Sequence, residues 1–299
     1  MRPLAPAARE LADAYAYCER LARSHYENFP VASHLLPAAM RPHIAAIYAF
    51  ARVADDMADE GIRTPEARTA DLQRWGARLD HVLATGSLGD GPHAEIFVAV
   101  RKSIEACHLP AGLFHDLLSA FRQDVTVTRY ETWADLLDYC RRSANPVGRL
   151  VLRVAGRDNA TADEASDAVC TALQLTNFWQ DLQVDWRKGR VYVPGAVWRA
   201  AGARESELSG DRLTQPWREA IREAVIYTRQ LFARGRTVCD AVDGRLRYEL
   251  RATWLGGTRI LDKLEESQFD PYVRRPKLSW TDAVPIAWRA AVWNQKRRD

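Results

Sequence analysis

Several features that define other classes of protein are missing from this chain of 299 residues. Its five cysteines are widely spaced and form no CxxC pattern, so we expect reduced thiols and a cytoplasmic location instead of a disulfide framework. No apolar run approaches the roughly 20 residues that span a bilayer. The opening residues also lack the apolar core of a signal peptide, so no secretory leader is predicted.

Charge of one sign and strand-like patterning are equally scarce. The net charge is only +3, and there is no basic stripe or groove-reading motif, so no nucleic-acid partner is predicted. A Gly-rich dinucleotide fingerprint is absent, and alternation of apolar and polar residues is confined to residues 124–128. A hydrophobic fraction of 47% with 27% charged residues is typical of a globular protein with a full core.

Helical periodicity and helix-capping residues dominate what remains. Thr64 and Pro65 are typical of a helix start, and we expect that helix to run to about Leu83. The capping box at 161–164 predicts a long helix that ends near Gly189, and further helices are expected over 215–242 and 245–267. About ten helices with short connections predict one all-α domain over residues 1–299.

An acidic cluster follows an apolar segment in the first fifth of the chain. Asp55 and Asp59 are four residues apart and share one helix face, with Arg52 one turn earlier. Residues 44–50 are too apolar for an exposed helix, so these carboxylates stand at the end of a buried segment. Negative charge is costly there unless a cation compensates it. A solvated helix end is the alternative explanation.

A second polar stripe lies in the predicted helix that ends near Gly189. Gln174, Asn177, Asp181 and Asp185 are spaced by three, four and four residues, which places them on one helix face. Hard oxygen donors on an otherwise apolar helix suit Mg²⁺, which takes one or two carboxylates and completes its shell with water and phosphate oxygens. An ordinary polar face, or a buried network satisfied by arginines, would explain the stripe without a metal.

The two clusters together favour a functional site over either structural alternative. Aspartates on two facing helices would hold several Mg²⁺ ions around one diphosphate group. The ions would neutralise the leaving group and make ionisation of an allylic C–O bond feasible. The residues therefore predict a Mg²⁺-dependent enzyme that acts on a diphosphate.

These motifs resemble those of the squalene/phytoene synthase family, and the likeness covers about residues 17–277. The family's D-D-x-x-D stands at 55–59, and its Q-L-x-N-x-x-x-D-x-x-x-D stands at 174–185. Residues 139–148 resemble its Y-C-x-x-x-A-x-x-V-G segment, and residues 189–194 resemble its G-R-x-Y-x-P turn. The resemblance implies the isoprenoid synthase fold, with helices around a central active-site cavity.

Three departures from the family pattern indicate a particular branch. Residues 25–29 read H-Y-E-N-F where many relatives carry H-S-[KR]-[ST]-F, Gln180 replaces an arginine, and residues 268–270 read Q-F-D for N-Y-D. The patterns E-N-F-P-V-A-S and N-F-W-Q-D resemble the hydroxysqualene synthase branch of bacterial hopanoid clusters. That branch implies capture of ionised presqualene diphosphate by water, without NADPH. An arginine at 180 would help to grip a second prenyl diphosphate, so its loss fits a preformed substrate.

The resemblance also implies roles for individual residues. The expected Mg²⁺ ligands are Asp55, Asp59, Asn177, Asp181 and Asp185. Arg52 is expected to donate to the departing diphosphate, against a structural pair with Asp55 or Asp56 as the alternative, and Tyr139 is the further catalytic residue. The expected substrate-binding residues, which include small residues that leave room for the substrate tails, are Gln174, Tyr26, Asn28, Phe29, Ala144, Gly148, Arg190 and Tyr192. Phe178 is expected to pack in the core, and Arg274, Arg275 and Lys277 are basic groups expected near the site's mouth, with solvated surface as the alternative.

Two other functions stay open from the sequence. A head-to-head prenyl transferase would make presqualene diphosphate, squalene or phytoene from farnesyl or geranylgeranyl diphosphate. A non-catalytic assembly protein of the same fold is disfavoured because all four aspartates of the two motifs are present. An apolar substrate implies peripheral contact with the inner face of the membrane, or hand-over to neighbouring pathway enzymes, and no obligate protein partner is predicted.

Overall fold

The computed structural model describes residues 6–24, 35–88 and 91–293, and these residues fold into helices joined by loops. The α-helices in these ranges are α1 (Pro6–Ser24), α2 (Arg41–Asp59), α3 (Pro65–Thr85), α4 (Ala94–Cys107), α5 (Ala111–Asp124), α6 (Trp133–Ser143), α7 (Asn145–Val154), α8 (Ala160–Gln180), α9 (Leu182–Arg187), α10 (Gly195–Ala200), α11 (Gln215–Gly235), α12 (Gly244–Glu266) and α13 (Trp280–Ala291). Two 3-10 helices cover Glu205–Ser209 and Arg236–Asp240. No β-strand occurs in the described ranges, which confirms the all-α prediction.

The chain divides into two compact units. The first comprises residues up to 126 together with 146–158, and the second comprises 127–145 and the residues from 159 onward. The first acidic cluster lies in the first unit, and the second polar stripe lies in the second unit. None of the helices in the described ranges is both long enough and apolar enough to cross a membrane.

An aromatic cluster forms the core of the first unit around α2. Phe50 is fully buried, and its ring lies 5.5 Å from that of Trp75, 6.2 Å from that of Phe97 and 5.3 Å from that of Phe114. The rings come from α3, α4 and α5, so three neighbouring helices hold α2 by its apolar face. This packing fixes the position of the acidic cluster at the carboxyl end of α2.

Close packing of α8 against α11 forms the core of the second unit. A Cβ atom on Gly235 would lie 2.5 Å from the carbonyl oxygen of Ala165, so only glycine allows the two backbones to come this close. Trp179 is fully buried, and its indole Nε1 donates a hydrogen bond of 2.8 Å to Oγ1 of Thr228. The Trp179 contact holds the carboxyl end of α8, where the second polar stripe lies, and the Gly235 contact holds the first turns of the same helix.

Several predicted helix ends agree with the structure and others need correction. The Thr64 side chain caps α3 by accepting from the amide of Ala67, as expected. The cap of α8 is Asn159, which accepts from the amide of Ala162 at 2.8 Å, so the expected capping box at Thr161 was wrong. Asn159 has extended backbone angles, which is the conformation that an N-cap requires.

The helix predicted to end near Gly189 is interrupted once. Its regular conformation breaks at Asp181, between α8 and α9, before the chain turns at Gly189 with a φ of +79°. The helix predicted over 215–242 ends at Gly235 and continues as a 3-10 helix to Asp240. The prediction of Phe178 as a packing residue is consistent with its burial.

Candidate active site

The first acidic cluster lies on the last two turns of α2. Arg52 contacts Asp55 at 3.1 Å and Asp56 at 2.6 Å, and it also reaches Glu60 at 3.1 Å. The structural pairing of Arg52 that the sequence left open is therefore present. Asp55 is half-buried and Asp59 is exposed, so both carboxylates are accessible to a hydrated cation.

The helix end that carries this cluster is held by an arginine from α3. Arg68 donates to the carbonyl oxygen of Ala58 and, at 2.7 Å, to that of Gly61. The last carbonyl groups of a helix have no partner within the helix, and a cation there also interacts favourably with the helix dipole. Arg68 therefore orders the end of α2 through its backbone and leaves the carboxylates to other contacts.

The second polar stripe keeps its alignment across the junction of α8 and α9. The amide of Asp181 donates to the carbonyl of Asn177 at 2.8 Å, and the amide of Asp185 donates to the carbonyl of Asp181 at 2.8 Å. These hydrogen bonds have the spacing of an α-helix, although Asp181 itself has φ −103° and ψ 10°. Gln174 and the three residues named are all half-buried, so the stripe is a polar strip between buried neighbours.

A segment near the carboxyl terminus contacts this stripe directly. Arg275 donates from Nε to one carboxylate oxygen of Asp181 and from Nη2 to the other at 2.9 Å, forming a two-pronged ion pair. Gln180 donates from Nε2 to the carbonyl oxygen of Pro276 at 2.6 Å. Two adjacent residues at the end of α8, Gln180 and Asp181, thus hold two adjacent residues of the segment, Pro276 and Arg275. The sequence indicated neither contact.

Buried contacts anchor that segment on its other side. Asp270 is 1% exposed, and its carboxylate accepts from the amide of Tyr272 at 3.1 Å and pairs with Arg218 at 3.4 Å. The hydroxyl of Tyr272 donates to the carbonyl of Leu208 at 3.0 Å. Burial raises the pKa of Tyr272, so the phenol stays protonated and keeps donating. Asp270, the acid of the divergent Q-F-D triplet, therefore anchors the start of the segment that carries Arg275.

Four aromatic rings pack together beside the stripe. Phe178 and Tyr192 stack with centroids 3.7 Å apart, Tyr139 lies 6.2 Å from both, and Tyr130 lies 5.8 Å from Tyr192. All four side chains are buried. The structure thus brings together Tyr139 and Tyr192, two predicted site residues that are 53 positions apart in the sequence. It adds Tyr130, which the sequence analysis did not identify. Aromatic faces attract cations, so this cluster is chemically suited to stand beside a carbocation.

The other predicted site residues lie in several places. Ala144 is buried just after α6, and its neighbour Asn145 accepts from Oγ1 of Thr171 on α8 at 2.9 Å. Gly148 is half-buried on α7, and Arg190 follows α9, where its amide donates to the carbonyl of Asp185 at 2.8 Å. The predicted residues that lie outside the described ranges are Tyr26, Asn28 and Phe29.

The donor set of the stripe fits a magnesium ion. Within the described ranges no group of three or more His, Cys, Asp or Glu side chains forms a ready-made metal site. The stripe instead offers two carboxylates and an amide oxygen, and Mg²⁺ characteristically takes one or two carboxylates and keeps several waters. An ionised carboxylate has about four lone-pair positions, so the ion pair between Asp181 and Arg275 leaves acceptor capacity on Asp181.

Comparisons with known proteins identify the family of the chain. The squalene/phytoene synthase family model matches residues 22–282. A hydroxysqualene synthase of Zymomonas mobilis is 38% identical over 271 residues, which cover 89% of this chain and 87% of that protein. Another, of Rhodopseudomonas palustris, is 35% identical over 266 residues, which cover 88% of this chain and 87% of that protein.

Solved structures show the same relationship. The squalene synthase HpnC of Alicyclobacillus acidocaldarius matches with a TM-score of 0.80 and 38% identity, covering 87% of this chain and 96% of that one. A dehydrosqualene synthase matches with a TM-score of 0.84 at 20% identity, covering 96% and 98% of the two chains, which shows a shared fold. The expected isoprenoid synthase fold is thereby confirmed. The chain is an enzyme that belongs to the squalene/phytoene synthase family.

Proposed function

We propose that this enzyme converts presqualene diphosphate and water into hydroxysqualene and diphosphate, with Mg²⁺, in bacterial hopanoid biosynthesis. The observation that carries the proposal is the aligned stripe of Asn177, Asp181 and Asp185 with Arg275 on Asp181. It provides oxygen donors for metal and a guanidinium for phosphate oxygens within one patch. The two relatives at 38% and 35% identity that are named hydroxysqualene synthase support the choice of reaction.

The metal ligands in this proposal are Asp55, Asp59, Asn177, Asp181 and Asp185. When bound, Mg²⁺ neutralises the diphosphate and so favours heterolysis of the C–O bond. Arg52, Arg190 and Arg275 are guanidinium groups that would donate charge-assisted hydrogen bonds to the phosphate oxygens. The electron pair of the broken bond leaves with the diphosphate, so these donors act on the charge that develops there.

The residues that meet the hydrocarbon part are the aromatic and small side chains. Tyr139 and Tyr192 would present ring faces to the rearranging cation, while Ala144 and Gly148 leave room for the two prenyl tails. Gln174 would orient the attacking water, whose oxygen forms the new C–O bond and then loses a proton to solvent or diphosphate. Tyr26, Asn28 and Phe29 complete the proposed substrate contacts.

The contact of Gln180 supports water capture over condensation. The amide of Gln180 donates to the Pro276 carbonyl, so this position supplies a neutral anchor for the Arg275 segment. A second prenyl diphosphate would need additional positive charge, and Gln180 contributes none. One diphosphate therefore matches the charge of this patch better than two.

The proposal extends to the setting of the enzyme. The whole chain, residues 1–299, acts as one catalytic domain in the cytoplasm at the inner face of the membrane. The apolar substrate and product are exchanged with the membrane or with neighbouring pathway enzymes, and NADPH takes no part. Release of diphosphate distinguishes this activity from a non-catalytic assembly role.

Product analysis tests the proposed function. The purified chain with Mg²⁺ and without NADPH is incubated separately with presqualene diphosphate and with farnesyl diphosphate, and extracts are read by mass spectrometry. We expect a C30 alcohol from presqualene diphosphate and no C30 product from farnesyl diphosphate. A C30 product from farnesyl diphosphate would show a condensing synthase, and no diphosphate release from either would overturn the enzymatic proposal.

A further inference from the structure

The outer face of α13 is apolar and uncovered by the described residues. Trp280, Val284 and Trp288 are spaced four residues apart and are 83%, 71% and 67% exposed. They expose on the order of 500 Å² of mostly apolar surface, which is the size at which such patches often mark interaction sites. Ala287 and Ala291 lie on the same side of the helix and are also exposed.

Specific contacts on the opposite face determine which side of α13 points outward. Asp282 pairs with Arg259 at 2.9 Å and with Lys263 at 2.8 Å, both on α12. Ala290 is buried, and its carbonyl oxygen accepts from Arg251 at 3.3 Å. These contacts are on the side of the helix opposite the two tryptophans. They hold α13 against the rest of the unit and leave its apolar face exposed.

Just beyond the helix, Trp293 adds a further anchor. Its indole Nε1 donates to Asp240 at 3.3 Å, and the guanidinium of Arg236 lies 4.3 Å from its ring centroid. Both ends of α13 are therefore held against the second unit. The tryptophans of the outer face belong to a helix that is attached to the protein, and their exposure is a consequence of its orientation.

The segment that contains this helix carries mostly positive charge. Residues 272–293 contain four Arg and Lys residues and one Asp residue, a net charge of +3, which equals the net charge of the whole chain. Arg274, Lys277 and Arg289 are exposed, and the acid of this segment, Asp282, is already paired with Arg259 and Lys263 of α12. An apolar face with tryptophans, on a segment that also carries exposed cations, is complementary to an anionic lipid surface.

We infer that the Trp280–Val284–Trp288 face of α13 docks on the interfacial region of an anionic lipid bilayer. Twelve residues of helix are about 18 Å long, which is short of the roughly 30 Å hydrocarbon core, so α13 lies on the membrane surface. A second copy of the chain is the less favourable occupant, because docking like faces would bring two segments of net positive charge together. This inference rests on α13 and does not depend on the proposed reaction.

Vesicle binding by the full chain tests the inference. Wild-type protein is co-sedimented with vesicles that contain phosphatidylglycerol and with vesicles of phosphatidylcholine alone, at low and at high salt. We expect binding to the anionic vesicles that weakens with salt. Trp280→Ser with Trp288→Ser should reduce that binding by about tenfold or more, since it removes most of the apolar contact.

A matched control separates docking from general stickiness. Ile226→Ser removes an apolar side chain that is 51% exposed on α11 of the same unit, and it should leave vesicle binding within about twofold of wild type. Circular dichroism checks that each variant is folded. Absence of vesicle binding by the wild type, or equal binding by the double variant, would overturn the inference. A wild-type dimer that the double substitution dissociates, without lipid binding, would identify a second copy as the occupant instead.

Discussion

Replacing Asp181 by asparagine separates a metal-binding role from a structural one. The substitution keeps the size of the side chain and one acceptor oxygen, but it removes the charge that pairs with Arg275. The two side chains are 26% and 40% exposed, and a partly exposed ion pair contributes at most about 1 kcal/mol to stability. With a typical stability of about 5–15 kcal/mol, Asp181→Asn should remain folded.

The expected effect on turnover is much larger than the effect on folding. If Asp181 ligates Mg²⁺ at the leaving group, the loss of its charge should lower kcat by about two to three orders of magnitude. Diphosphate release measures kcat, and urea denaturation measures the free energy of unfolding. The two readouts together show whether activity is lost in a folded protein.

Asp262→Asn is the matched control for this experiment. Asp262, on α12 of the same unit, accepts from Arg229 at 2.8 Å, and the two side chains are 40% and 32% exposed. The Asp262→Asn substitution should therefore lower the stability by a similar amount and leave kcat unchanged. Activity of Asp181→Asn within about tenfold of wild type would refute the metal-ligand argument. Loss of activity that tracks unfolding would show that Asp181 serves mainly to pair with Arg275.

Packing, thiol burial and charge pairing each lead to a further measurable outcome. Gly235→Ala should lower the free energy of unfolding by about 1–3 kcal/mol, because its methyl group would lie 2.5 Å from the Ala165 carbonyl oxygen. In Gly112→Ala the new methyl group meets nothing within 4 Å, so this variant should not lose stability through a steric clash. Equal denaturation midpoints for the two variants would contradict this reasoning. Burial raises the pKa of the Cys140 thiol, and it raises the pKa of Cys18 and of Cys239 to about 12. At neutral pH these three thiols should therefore react with a thiol reagent only after the protein unfolds. Rapid labelling of the native protein would contradict this expectation. Hydrogen bonds from Lys263 and other donors hold the pKa of Asp282 below its usual range, so its carboxylate adds stability above the unfolded pKa of about 4, and this stability is lost as the pH falls. The destabilisation by Asp282→Asn in urea titrations should therefore be smaller at about pH 3 than at about pH 7, and a pH-independent difference would contradict the assignment.

Helix signals and motif spacing made much of this protein predictable. The Thr64 cap, the proline that follows it and the left-handed Gly189 are local features whose backbone preferences act within a few residues. The all-α fold and the enzyme family followed from such features and from the two acidic motifs, and both are confirmed. The metal ligands and substrate contacts remain predictions that await the experiments above.

The errors at helix ends arose where two local signals compete. Asn159 and Thr161 are both good N-cap residues, and the choice of Asn159 depends on the extended backbone that leads into α8. The break at Asp181 was not predicted because the periodicity of the polar stripe continues through it. Hydrogen bonds of α-helical spacing on either side preserve that periodicity, so the pattern alone could not distinguish a continuous helix from an interrupted one.

The sequence by itself determined the helical class, the family and the alignment of acidic residues on one face, because these depend on residues within a few turns of each other. Only the tertiary structure decided which groups these acids meet. Arg275 reaches Asp181 across 94 positions, and Gln180 reaches Pro276 across 96, and no local pattern encodes such a contact. The outward direction of the α13 tryptophans was likewise decided by packing. Apolar residues of α13 lie on the buried side, at Ala290, as well as on the side of the tryptophans, so the pattern does not specify which side the neighbouring helices will cover.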